Sequence, residues 1–266
     1  MRFSTDVTAD YVAVAPAALA FERSLECRLY PTVPFERPIL DLGCGEGLFA
    51  KILFQEQIDT GIDPNPHELE RARQLGAYRE LIECYGDRIP KPDGSYRTVF
   101  SNSVLEHIPD VEPIFAEVFR ILAPEGRFHF TAPSPRFERF TWTGMILRGL
   151  RLNALDARWR AFFNRFWAHH HAYEVARWEQ LATQAGFEVV ESRSFDPARV
   201  CLLNTALTPF GILAKITKVR TNRWILFPRA RRLLTMPLCA VARPLLRGGE
   251  DPTDGGLVFL SLRKPS

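Results

Sequence analysis

An α/β fold on a doubly wound, parallel sheet is predicted by three observations in this sequence. Short apolar runs alternate with helix-patterned stretches, the signature of repeated strand–helix–strand units. The first run, Ile39-Leu40-Asp41-Leu42, passes directly into a glycine-rich turn and then into a helical pattern. The second run, from Ile58, ends on the acid Asp63.

The elements follow in order. Residues 11–20 are apolar and small, but only Arg2 precedes them, Asp6 and Asp10 flank them, and Pro16 interrupts them. That is not the pattern of a secretory leader. An amphipathic helix over 15–30, carrying Glu22, Arg23 and Glu26, is expected instead. Strand one is expected near 38–42. In the turn that follows, side chains at Gly43, Gly45 and Gly47 would obstruct a ligand approaching the backbone, and Cys44 is a small residue filling the bend. Leu48, Phe49, Ile52 and Leu53 have helical spacing, so the free N–H groups of that helix point over the turn. Further strands are expected near 58–63, 80–84, 98–102 and 126–131, with helices between them. The alternating segment 187–195 reads as strand six and 257–263 as a final strand. There are no internal repeats, and 1–266 reads as a single domain.

Composition bounds the class. The chain is 46% hydrophobic and 24% charged, as in an ordinary globular protein. Its five cysteines are scattered and form no Cys-x-x-Cys pair, which argues against a disulfide framework or a structural zinc and fits a reducing, cytoplasmic compartment. No apolar run reaches the roughly 18 residues of a membrane-spanning helix.

Two stretches exceed a minimal alternating fold: 134–168 after strand five, and 197–250 between the last two strands. The second holds ten Lys or Arg against the single acid Glu250, and the first holds seven Arg against Glu138 and Asp156. The whole chain is only +3, so the remainder is acidic. Both insertions are also rich in apolar and aromatic residues. Three readings stay open for them: a helical lid over an apolar or anionic small substrate, peripheral contact with an anionic (inner) membrane surface, and contact with single-stranded nucleic acid.

The phrase Asp41-Leu42-Gly43-Cys44-Gly45-Glu46-Gly47 resembles motif I of class I S-adenosylmethionine (SAM) methyltransferases of the small-molecule, type 11-like group. It differs from the Gly-x-Gly-x-x-Gly of dinucleotide binders and from the lysine-bearing phosphate loop. The resemblance continues through Ile58–Asn65, Gly86-Asp87-Arg88, Ser101–His107 and Ile121–Gly126. It covers roughly 38–131, resumes at 172–195 and returns at 257–264. One departure is Tyr96-Arg97, where the family usually has aromatic–Asp.

The resemblance implies a Rossmann-like, seven-stranded sheet whose last strand runs antiparallel between strands five and six, with the two basic, apolar insertions forming a lid. It implies SAM as the cofactor and a small molecule as the partner. Asp63, with Pro64 beside it, would accept hydrogen bonds from both ribose hydroxyls. Asp87, with Arg88, would meet the adenine amino group, Asp41 would help position the methionine amino group, and Asn102, at the loop after strand four, would be a further cofactor contact. In this family an N-terminal helix often lies across the cofactor site.

Methyl transfer from a sulfonium is an in-line displacement with an excellent leaving group, so the enzyme mainly aligns the two partners. The cofactor site is therefore strongly marked in sequence and the catalytic residues weakly. His107 is the candidate general base, because a neutral imidazole accepts a hydroxyl proton near pH 7; an orienting or structural histidine is the alternative. Glu106, His107, His169 and His171 are candidate substrate contacts. No metal is expected from His169-His170-His171, since adjacent side chains do not converge on one ion. Oxygen is the expected acceptor, with carbon and nitrogen as alternatives. The chain lacks the Asn/Asp-Pro-Pro-Tyr and Pro-Cys motifs of DNA base methylation, so DNA is not expected; RNA ranks below a small molecule. A non-catalytic SAM-fold module binding a membrane or protein partner is the alternative function. The oligomeric state is not set by any of these patterns.

Overall fold

The computed structural model describes residues 1–221, 223–246 and 255–266, without the side chains of Ile212, Leu213, Arg243 and Leu245. In the second insertion, residues 222 and 247–250 lie outside the described residues.

Two helices, α1 (Val7–Val14) and α2 (Ala17–Glu26), precede the sheet. Then come β1 (Ile39–Leu42), α3 (Leu48–Leu53), β2 (Ile58–Asp63), α4 (Pro66–Leu75), β3 (Tyr78–Glu83), β4 (Tyr96–Asn102), α5 (Glu112–Ile121) and β5 (Leu122–Pro133). The first insertion folds as α6 (Trp142–Gly149) and α7 (Asn153–Trp167). After α8 (Val175–Gln184) and β6 (Glu188–Phe195), the second folds as α9 (Ala198–Thr221) and α10 (Pro228–Leu246), and β7 (Leu257–Arg263) closes the chain.

The seven strands lie in the order β3-β2-β1-β4-β5-β7-β6. β1 to β5 are parallel, and β7 runs antiparallel between β5 and β6, as the resemblance implied. Alternate residues of each strand feed two cores. Ile39, Phe100 and Phe259 face a cluster with α1, α2, α3, α4 and α10. Leu40, Val99, Val258 and Leu260 face another with α5 and α8, centred on Phe115 and Trp178. A strand apolar on both faces is the mark of a sheet covered on both sides.

Three expectations need correction. The helix expected over 15–30 is shorter, α2 at Ala17–Glu26 with Glu22, Arg23 and Glu26 on it, and a separate helix, α1, precedes it; Pro16 between them offers no N–H and drives Ala15 into extended backbone. β3 spans Tyr78–Glu83 rather than 80–84, so Asp87 and Arg88 stand beyond its end, exposed in a turn. β5 is longer at both ends than 126–131. Leu122 already pairs with Tyr96, and the register then shifts before Arg127 meets Thr98, with Glu125 in left-handed backbone at φ 63°.

The N-terminal pair is fixed by one buried carboxylate. Glu26 is fully buried at the end of α2. Its Oε1 accepts from the Ser103 hydroxyl at 2.6 Å and lies 3.0 Å from the Thr131 hydroxyl; its Oε2 accepts from Asn102 Nδ2 at 3.0 Å and pairs with Arg23. Burial alone would lower the Arg23 pKa, but Glu26 and then Glu22 hold the guanidinium charge above its usual value. Removing one partner of such a buried network strands the other charge. Glu26→Ala should therefore cost about 3–5 kcal/mol of stability, read as a lower urea midpoint at unchanged slope. A midpoint within error of wild type would contradict the pinning.

Candidate functional site

The turn after β1 is held open by its own backbone. The Gly43 and Cys44 N–H groups both donate to the Ile62 carbonyl at 2.9 Å, which ties the turn to the end of β2. Gly43 has φ 76°, and a methyl group there would meet Val104 Cγ1 at 2.4 Å. Gly45 has φ 51° and faces open space, so its bare backbone is what a ligand can approach. Gly47 caps α3 in left-handed backbone.

Asp63 stands across from this turn. Its Oδ2 accepts from the Gly45 N–H at 2.9 Å and its Oδ1 from the Asn65 N–H at 2.8 Å. Each oxygen keeps a further lone pair for a ligand hydroxyl. Pro64 follows it, exposed. Asp41 is buried, and its Oδ2 accepts from the Tyr78 hydroxyl at 2.6 Å. Burial pushes the Asp41 carboxyl up to about 7, against the pull of the Tyr78 hydrogen bond. Cys44 is buried, and burial drives its thiol well above the usual range, so it fills the bend as an inert side chain.

Beside the turn, a cavity of about 360 Å³ opens along the carboxyl edge of the sheet, reached by Ser103 after β4, Pro133 of β5 and Leu257 of β7. Its walls are largely apolar and include Phe137, Phe163, Phe166 and Trp167 from the first insertion and Trp224 from the second. Glu22 and Arg23 of α2 complete one side. Trp224 Nε1 donates to Glu46 Oε1 at 2.7 Å, and Lys218 Nζ lies 3.2 Å from Glu46 Oε2. The second insertion thus reaches the glycine turn itself.

The polar corner of the cavity is Glu106, His107 and His169. His107 Nδ1 lies 3.1 Å from the Ala168 carbonyl. A carbonyl only accepts, so Nδ1 carries the proton and Nε2 keeps its lone pair, 3.8 Å from Glu106 Oε1. The Glu106 carbonyl accepts from the His170 N–H at 2.7 Å, fastening the segment after α7 to this turn. Burial lowers the His107 imidazole below its ordinary value, partly offset by the bond to Ala168. Burial takes His169 down to about 4. It raises Glu106 to about 8 and Glu22 to about 7.

Of the residues singled out in the sequence, the structure gathers Gly43, Cys44, Gly45, Gly47, Asp41 and Asp63 at one end, and Glu106, His107 and His169 at the other. It does not bring in His171, whose Nε2 lies 3.0 Å from the Pro109 carbonyl and whose ring packs on Tyr173. Asn102 is taken up by the Glu26 network and by the Tyr30 hydroxyl, 3.1 Å from its Oδ1. Glu22, Arg23, Trp224 and the aromatic wall carry no short motif; only the amphipathic pattern of α2 and the aromatic density of the insertions pointed toward them.

A family described as a methyltransferase domain matches residues 40–130. Residues 40–130 carry a methyltransferase domain of the class I, SAM-dependent kind. A malonyl-[acyl-carrier protein] O-methyltransferase of Halorhodospira halophila is 33% identical over 144 residues, 51% of this chain and 48% of that one. The sterol 24-C-methyltransferase erg6 of Aspergillus fumigatus is 33% identical over 98 residues, 34% of this chain and 26% of that one. The chain thus spans about half or less of the length of these curated relatives. A SAM-dependent methyltransferase of Thermotoga maritima shares the fold at TM-score 0.56 and 15% identity, covering 93% of this chain and 91% of that one. S-adenosylmethionine is the cofactor of this domain class.

Proposed function

We propose that this protein transfers the methyl group of SAM to an oxygen of a small, largely apolar acceptor. The observation that carries this reading is the largely apolar cavity of about 360 Å³, which lies beside the glycine turn and ends on His107 with its Nε2 lone pair exposed. That volume is of small-molecule size. The O-methyltransferase among the relatives supports an oxygen acceptor, although the sterol relative methylates carbon. SAM would supply the methyl group, the acceptor oxygen bonding to its carbon as the C–S bond breaks and leaves a neutral thioether, and His107 Nε2 would take the acceptor proton. Glu106 and His169 border the acceptor, and α6, α7 and α9 act as its lid. The purified chain incubated with SAM and hydroxyl-bearing aromatic and aliphatic acceptors should yield a product heavier by one methylene, with S-adenosylhomocysteine. SAM binding with no product across the panel would point to a non-catalytic module instead.

A second reading concerns location. Among the described residues no single helix is long and apolar enough to cross a membrane, although Ala198–Gly211 and Ala214–Thr221 together pass that test with a 48° bend. Phe227, Leu233 and Leu234 are 74%, 70% and 81% exposed on or beside α10, next to Arg229 and Arg232. Such a face supports peripheral contact with an anionic surface.

Each part has its own test. Charge-assisted hydrogen bonds contribute about 1.5–3 kcal/mol, so Asp63→Ala should weaken SAM binding by calorimetry about ten- to a hundredfold; unchanged affinity removes Asp63 from the cofactor site. His107→Ala should lower kcat by about 10²–10⁴ with SAM affinity intact. Because burial holds this imidazole below the ordinary value of about 6.5, its base form persists at neutral pH and is lost only as the pH falls through the depressed value. The wild-type rate should therefore stay level from pH 7 down to that ordinary value and fall below it, and an acid limb unchanged in shape in His107→Ala would exclude the role. Anionic vesicles should sediment the protein in low salt and release it in high salt, with Leu234→Asp weakening the association. No lipid-dependent sedimentation would rule out the surface reading.

A further inference from the structure

Proton transfer to His107 needs one lone pair, yet three ligand-type atoms converge at this corner. The ligand atoms of Glu106, His107 and His169 all lie within 4.8 Å of one another. Glu106 is 2% exposed, and its Oε2 has no hydrogen-bond partner. A buried carboxylate oxygen is costly to leave so. The imidazole beside it is already oriented as metal-binding histidines are, with Nδ1–H donated to a backbone carbonyl and Nε2 presented. His169 is set opposite at a ring separation of 5.4 Å. Its segment is fixed from both sides, by the His170 N–H on the Glu106 carbonyl and the His169 N–H on Asn164. Of the cations lining the cavity, Arg23 is paired with Glu26 and has Glu22 at 3.8 Å, which leaves the second cation, Lys215, as the other positive group on the wall.

We propose that Glu106, His107 and His169 form a binding site for a divalent transition-metal ion, of which zinc is the representative, with a remaining coordination position open to the cavity. Two imidazoles and one carboxylate suit such an ion, and a three-ligand set leaves room for a substrate oxygen. Bonds of about 2.0–2.2 Å would draw the three ligand atoms closer than they now stand. Side-chain torsion on the cavity side, where His107 is exposed and His169 half-buried, permits that closure. The ion would then polarise the acceptor oxygen directly, using the lone pair that serves as a base in the metal-free chain. This use rests on the acceptor-cavity reading; the binding itself does not.

The test is zinc chloride titrated calorimetrically into the full chain after chelator treatment, without SAM or acceptor, and cobalt loading followed by visible absorption. One ion per chain is expected, with a cobalt spectrum of a nitrogen- and oxygen-ligated ion. Glu106→Gln keeps the side-chain shape, and His169→Ala alters a partly exposed position. Each should weaken zinc binding about a hundredfold or more, beyond the 10–100-fold typical of losing a supporting group. Exposed His67→Ala, remote on α4, should bind as wild type. Zinc affinity no greater than that of the Glu106→Gln/His169→Ala double variant, or one-to-one binding that survives both substitutions, would overturn the site. SAM heats measured on the same samples separate this outcome from failure of the methyltransferase reading.

Discussion

The buried carboxylate of Glu26 decides where the N-terminal helices sit, and the cavity follows from that. Taking a carboxylate out of water costs several kcal/mol unless donors replace the solvent. Here the donors come from particular places: Asn102 and Thr131, which pair across β4 and β5, Ser103 just beyond, and Arg23 one turn back on α2. Apolar packing alone would let α2 slide over the sheet. Hydrogen bonds to both strand ends do not, and they hold Ser103 in left-handed backbone at φ 50°. The roof thus formed carries Glu22 and Arg23 into the cavity and gives α9 a surface to pack on.

The same constraint explains why the two functional ends lie side by side. In an open α/β sheet, ligands bind beyond the carboxyl ends of strands near the point where the strand order reverses. β1 and β4 are neighbours at that point. The glycine turn follows β1, and the Ser103–His107 segment follows β4. Gly43 is pressed against Val104, so the two loops touch through a residue too small to separate them. The glycine turn and the Ser103–His107 segment are consecutive pieces of one edge.

The fold was largely legible because its signals are local. Alternating apolar runs mark strands, and Gly43, Gly45 and Gly47 mark a turn that larger residues could not make. Pro16 was visible too, and it separates α1 from α2 as a residue without an N–H should. The site was legible where a motif names it and not where it is assembled from distant positions. Asp87 looked like a strand end, yet the pairing of β3 with β2 stops at Glu83, leaving that acid in solvent. Asn102 looked available in sequence, but the partner that occupies it lies 76 residues away on α2. Trp224 and Glu46 are further apart still, and no spacing rule joins them.

The charge asymmetry, finally, has a structural meaning that favours a closed lid. The basic insertions bind the acidic body at identifiable points. Lys218 reaches Glu46 and Glu68, and Arg232 reaches Asp10. Arg231 Nε donates to the Val12 carbonyl at 2.8 Å, where α1 ends. Within the first insertion, Arg148 and Arg160 pair with Asp156, and Arg160 also with Glu138. Partly exposed ion pairs contribute little stability individually, so these contacts orient the insertions more than they hold them. Apolar packing does the holding: Val200 of α9 and Cys239, Ala242 and Leu246 of α10 are buried in one core with α1 and α2.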